Sequence, residues 1–100
     1  MIGNLYSNIN MSQKDKILLH LINNGKINSQ ECIEKYQFKH LPSVIRYLRN
    51  SNIKISRMVK YGDKRLGERL YWIDYILAPI NEQPEHIAKM INNMKQVYNR

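Results

Sequence analysis

Ser43, Arg46, Tyr47 and Asn50 are spaced by three or four residues, so on a helix they share one stripe. The donors of that stripe suit the edges of bases. An arginine such as Arg46 can pair two donors with guanine, an asparagine such as Asn50 can do likewise with adenine, and the Ser43 hydroxyl can reach either. Lys39, His40 and Arg49 flank the stripe, and Lys39 and Arg49 are better placed for phosphate oxygens. A second basic group, Arg57, Lys60, Lys64, Arg65 and Arg69, lies on or beside a glycine-bounded segment downstream. From Lys39 to Arg69 there are nine basic residues (Lys39, Arg46, Arg49, Lys54, Arg57, Lys60, Lys64, Arg65, Arg69) against the two acids Asp63 and Glu68. That third of the chain therefore holds a surplus of seven out of a net charge of +8. A basic surplus spread over a protein is ordinarily a solubilising surface. Concentrated in this way it implies a face for phosphate, carried by nucleic acid or by anionic lipid.

Other chemistries lack their residues. His20, His40 and His86 are far apart and without the paired spacing of a zinc site. Cys32 is the single cysteine, which excludes an internal disulfide and any multi-cysteine metal site, and it reads as a small core residue. There is no glycine-rich phosphate loop, nucleophile elbow or clustered carboxylate pair, so no enzyme and no cofactor are expected. No run approaches the ~20 apolar residues that span a bilayer. The opening MIGNLYSNIN has neither a basic region nor an apolar run, so no secretion signal is read, and the cytoplasm of a bacterial host is the expected location.

The elements that must position these residues follow from periodicity. Residues 1–11 show none and are read as an arm. Ser12 and Asp15 resemble a capping box ahead of the helical stripe Ile17, Leu18, Leu21 and Ile22, and Gly25 suits a left-handed helix end. After the extended link Lys26-Ile27-Asn28, a second helix capped by Asn28 or Ser29 turns Cys32, Ile33 and Tyr36 inward. Gln37-Phe38-Lys39 breaks it. A third helix, from Leu41 to Asn50 with Pro42 in its first turn, buries Leu41, Val44, Ile45 and Leu48. The period then becomes two, at Ile53 and Ile55 and through 56–61; a turn over 62–67 and a strand over 68–77 complete a β-hairpin, with Tyr71, Trp72 and Tyr75 read as packed in preference to stacking on nucleic acid. Asn81-Glu82-Gln83-Pro84 reads as a linker to an amphipathic helix over 85–98, whose stripe is Ile87, Met90, Ile91, Met94 and Val97 or Tyr98. The order is that of a winged helix-turn-helix, an α+β and mainly α fold of three helices plus a hairpin wing, spanning 12–78, with an extra helix in 79–100.

Residues 25–77 resemble a family of small winged-helix domains common in phage and prophage proteins. Three segments carry the likeness: GKINSQECIEKYQF, HLPSVIRYLRNSNIKI and YGDKRLGERLYWI. The chain departs from the family at Gln37 and Asn52, where glycine is favoured. The resemblance implies binding of double-stranded DNA by a phage or mobile-element regulator. In that reading Lys39, His40, Ser43, Arg46, Tyr47, Arg49 and Asn50 serve on the recognition helix, and Arg57, Lys60, Lys64, Arg65 and Arg69 on the wing. The alternative is a phage inhibitor that uses the same scaffold to engage a host protein or nucleoprotein, such as a CRISPR-Cas defence complex. The C-terminal stripe has two uses, folding back over its own domain or pairing with a second copy through Ile87, Met90, Ile91, Met94 and Tyr98. The dimer is the preferred expectation, ahead of a membrane-surface role.

Overall fold

The computed structural model describes residues 12–62 and 71–98. Helix α1 (Gln13–Asn24) begins where the Ser12 hydroxyl accepts the Asp15 N–H at 3.2 Å, and ends at Gly25, whose φ of 84° only glycine adopts without steric cost. Strand β1 (Lys26–Ile27) is followed at once by helix α2 (Ser29–Tyr36). Asn28 caps α2 reciprocally: its side chain accepts the Glu31 N–H, and the Glu31 carboxylate accepts the Asn28 N–H. Helix α3 (Leu41–Asn50) has the bounds its periodicity predicts.

Gln37 and Asn52, where the resembling family favours glycine, both adopt positive φ, 52° and 72°. The left-handed residue at 37 closes α2 by directing its N–H to the Ile33 carbonyl, and its side-chain amide donates to Glu34 O. The backbone turn is thus kept although the side chain differs.

Strands β2 (Ile55–Tyr61) and β3 (Tyr71–Leu77) pair antiparallel, from Ile55 opposite Leu77 to Tyr61 opposite Tyr71. The link read as merely extended is a third strand: β1 pairs with β3, Lys26 opposite Ile76 and Ile27 opposite Tyr75, giving the order β1-β3-β2. A single 3₁₀ turn (Ile80–Glu82) leads into helix α4 (Glu85–Tyr98). The described residues thus form four helices and a three-stranded antiparallel sheet, mainly helical.

The core joins Ile17, Leu18 and Leu21 of α1 to Ile27, Cys32, the four inward residues of α3, Ile53, Ile55, Tyr75, and Ile87 and Ile91 of α4. Four expectations need correction. Ile33 is exposed, because Cys32 and Tyr36 occupy the inner side of an eight-residue helix and Ile33 is turned about 100° away from Cys32. Trp72 and Tyr71 are also exposed, because the hairpin runs past the end of the core, and only Tyr75 of the three aromatics is packed. In α4, Ile87 and Ile91 are buried in the chain's own core and Met90 and Met94 pack against it, leaving Val97 and Tyr98 exposed. A dimer built on Ile87 and Ile91 would have to open the fold, so folding back is the use observed. The fourth correction is the linker.

Gln83 is buried, and its amide behaves like a piece of strand. Its Oε1 accepts the Lys54 N–H at 2.9 Å, while Nε2 donates to Lys54 O at 2.9 Å and to Ala78 O at 3.0 Å. This ties the approach to α4 to the residue that precedes β2. A second buried polar group, His20 on α1, has Nδ1 2.7 Å from the Tyr36 hydroxyl and Nε2 3.8 Å from the Glu31 carboxylate. Burial pushes its pKa below the ordinary value, with Glu31 opposing, Lys35 reinforcing and a hydrogen bond to the backbone of Lys26 opposing. The imidazole is therefore neutral at pH 7 and the Glu31 contact is not an ion pair. A proton on Nε2, the side facing Glu31, leaves Nδ1 to accept from the Tyr36 hydroxyl.

Two outcomes follow from these buried groups. Removing the amide in Gln83→Ala strands Lys54 N–H and should cost about 2 kcal/mol, lowering the melting temperature by ~10 °C; a melt within ~2 °C of the wild type would contradict the clamp. For His20 the folded state resists protonation, so below the unfolded-state pKa of 6.5 the unfolded chain binds the extra proton. Its stabilising effect is thus intact above 6.5 and declines as the pH falls from there towards the depressed folded value. Urea midpoints measured across that window should fall for the wild type more steeply than for His20→Leu, whatever the baseline stability of the variant.

Candidate nucleic-acid interface

The outward side of α3 is set by its inward side. Leu41, Val44, Ile45 and Leu48 are all buried, which turns Ser43, Arg46, Tyr47 and Asn50 to the surface, with Lys39 and His40 exposed just ahead of the helix. Ser43, Arg46 and Asn50 have no side-chain hydrogen bond or ion pair with any described residue, so their donors are free for a ligand. His40 occupies the N-cap position without capping through its side chain, and its ring lies edge-on to Phe38 at 5.8 Å.

Two residues of this face are engaged. Arg49 is exposed, yet its Nε donates to Ile55 O at 3.0 Å, fastening the end of α3 to the start of β2. Tyr47 is half exposed and lies under the Lys14 ammonium, 3.9 Å from the ring centroid. Lys14, on α1, adds a cation to the face that no pattern within α3 could reveal, because the contact exists only once α1 is packed on α3.

Arg57 is exposed and Lys60 half-buried on β2, so the described part of the hairpin carries both cations on the strand at the sheet edge. Lys64, Arg65 and Arg69, with most of the turn, lie outside the described residues. Asp74 is the acid on β3. It is buried, accepts from Asn28 Nδ2 at 3.4 Å and has Lys26 Nζ at 3.8 Å, so its charge is answered locally. It also anchors the cap residue of α2 to the sheet. An aspartate in an otherwise apolar and aromatic strand was the signal for this tie.

Elsewhere the chemistry is structural. Cys32 is fully buried and burial pushes its thiol pKa up, so it stays protonated and inert. Burial also raises the Tyr36 hydroxyl, with Cys32 and Glu31 adding to the effect. No group of three or more metal-ligating residues is found among the described residues. None of their helices is long and apolar enough to cross a membrane.

The element order, the antiparallel hairpin after α3 and the free outward stripe have a counterpart among known families: a model described as a winged helix-turn-helix domain matches residues 12–78. The chain belongs to that family. Searches of curated proteins and of solved structures gave no match. Membership of the winged helix-turn-helix family supports a DNA-binding role, and the fold is typically non-enzymatic. Within it, α2 and α3 form the helix-turn-helix, with the turn closed at Gln37, and β2 and β3 form the stem of the wing.

The two arginines of α3 should separate in their effects. Arg46→Ala removes a side chain with no described partner and should leave the melting temperature within ~2 °C. Arg49→Ala removes a charge-assisted bond to Ile55 O and should lower it by about 5–10 °C. Paired thermal melts check this; equal losses would mean that the Arg49 tie is not made in solution.

Proposed function

We propose that the protein binds double-stranded DNA as a transcriptional regulator of a phage or mobile element. In this reading α3 lies in the major groove and the wing lies along the backbone or in the minor groove. The observation that carries it is the outward stripe of α3, whose Ser43, Arg46 and Asn50 donors have no side-chain partner among the described residues, on a helix fixed by its four buried residues. A helix laid in the major groove presents one such stripe to base edges. Arg46 and Asn50 are the base-reading residues, with Ser43 and Tyr47 beside them. Lys39, His40 and Arg49 sit at the flanks, where phosphates run, and Lys14 extends that cationic rim from α1. Arg57, Lys60, Lys64, Arg65 and Arg69 give the wing its affinity for the backbone, and arginine is also attracted to narrow A·T-rich minor grooves. The regulator role and its mobile-element setting are supported by the resemblance of residues 25–77 to phage and prophage domains.

Fluorescence anisotropy on random and selected duplexes over a salt series tests the proposal. If about five to seven phosphates are neutralised, log affinity should fall with log salt with a slope of roughly −5 to −6. Arg46→Ala with Tyr47→Ala should remove the preference among sequences while leaving most of that slope. Weak, sequence-blind binding that vanishes by physiological salt would overturn the proposal and favour the alternative, capture of a host protein or nucleoprotein.

A further inference from the structure

The face of the sheet turned away from the core holds a polar cleft of about 560 Å³ where it meets the start of α2. Strand alternation decides what lines it. Tyr75 is buried in the core and Ile73 packs against it, so Trp72 and Asp74, at the alternate positions of β3, share the outer face. Lys60 is the cross-strand partner of Trp72 and Lys26 that of Ile76, which puts both lysines on this same face. Asn28 and Glu31 close the side nearest α2. One cleft thus brings together an indole, a buried carboxylate and two ammonium groups.

Asp74 is 3% exposed, yet both of its contacts are long. Asn28 Nδ2 donates to its Oδ1 at 3.4 Å, and Lys26 Nζ stands 3.8 Å from its Oδ2. An ionised carboxylate has acceptor sites for about four hydrogen bonds. Lys26 answers the charge, but most of those sites lack a donor, and a buried acceptor short of donors calls for a bound molecule that supplies them. The other groups narrow its class. Trp72 offers a flat, half-open ring, and Lys60 has no hydrogen-bond or ion-pair partner among the described residues. A flat ligand with N–H donors along one edge and an anionic group elsewhere meets all three. A guanidinium donates a parallel pair of N–H groups to a carboxylate, but it would set a third cation beside Lys26 and Lys60. Adenine presents its amino group beside an acceptor nitrogen. Guanine presents two adjacent N–H donors, and its nucleotide carries the anion.

We propose that this cleft binds a guanine mononucleotide, with the base stacked on Trp72, its N–H edge donating to Asp74 and its phosphate meeting Lys60. The site goes beyond the DNA-binding reading and does not rest on it, since no residue of α3 takes part.

Trp72 is the only tryptophan in the chain, so its emission reports occupancy of the cleft directly. The full-length protein, free of DNA, is titrated with guanosine monophosphate, adenosine monophosphate and guanosine. Guanosine monophosphate should quench Trp72 and bind about tenfold more tightly than adenosine monophosphate, the worth of a further N–H donor to a carboxylate. Guanosine should bind about threefold more weakly than its monophosphate, and Lys60→Ala should abolish that difference. Asp74→Asn keeps the shape of the side chain but puts a donor where an acceptor stood, and should erase the preference for guanine. Because Asp74 also ties α2 to the sheet, a melt accompanies this variant; if it does not fold, the base preference of the wild type and the Lys60→Ala result decide. Unchanged emission with all three ligands up to millimolar concentration overturns the site, and water then supplies the missing donors. Quenching that fails to distinguish guanine from adenine, or a guanine preference that survives in folded Asp74→Asn, overturns it as well. Duplex binding is measured separately, so either reading can fail without the other.

Discussion

Helix α3 cannot hide and display the same residues, and much of the structure depends on that restriction. Its ten residues turn Leu41, Val44, Ile45 and Leu48 into the core, where α3 packs on α1 and α2, so every donor it offers to a ligand must come from the remaining stripe. The helix is short, and isolated helices of this length are marginal in water. Its rigidity comes from packing and from ties at its ends. Tyr47 receives Lys14, Arg49 holds Ile55, and Ser51 accepts no further turn because its N–H returns to Tyr47 and Leu48 and its hydroxyl donates to Tyr47 O. The outward stripe is thereby held in place by the fold itself.

The polar groups inside the fold perform a related task. Asp74, Asn28 and Glu31 connect β3 to the first turn of α2, while His20 and Tyr36 connect α1 to its last turn. A helix of eight residues with one fully buried side chain has little apolar area with which to fix its own angle. Directional bonds at its two ends supply that orientation, and the orientation of α2 in turn fixes the turn that leads into α3.

Much of this was legible in the sequence wherever the signal is local. The helical bounds of α3, the Ser12 and Asn28 caps and the glycine end of α1 all rest on residues within four positions of one another. The left-handed geometry at Gln37 and Asn52 could be inferred from the family's preference for glycine there, although neither residue is glycine. What was not legible depends on distance along the chain. Period-two alternation tells which residues of β3 share a face, but not where the core stops along the strand, so Trp72 and Tyr71 were read as packed. The Lys14 contact with Tyr47, the pairing of β1 with β3 and the Gln83 clamp each join segments that no short window contains. The C-terminal stripe was correct as a stripe, but amphipathicity is silent on whether the covering surface is the helix's own domain or a second copy.

The Gln83 clamp has a further consequence. The match to the family ends at residue 78, but the clamp and the burial of Ile87 and Ile91 carry the packed unit well past that point. The segment that matches the family is thus smaller than the segment that packs together. Lys54, which the amide grips through both its N–H and its carbonyl, lies one residue before the Ile55 carbonyl that Arg49 holds. The Gln83 and Arg49 bonds thus meet at adjacent residues at the start of β2. One short stretch of backbone, Lys54 and Ile55, therefore fastens both the end of α3 and the approach to α4.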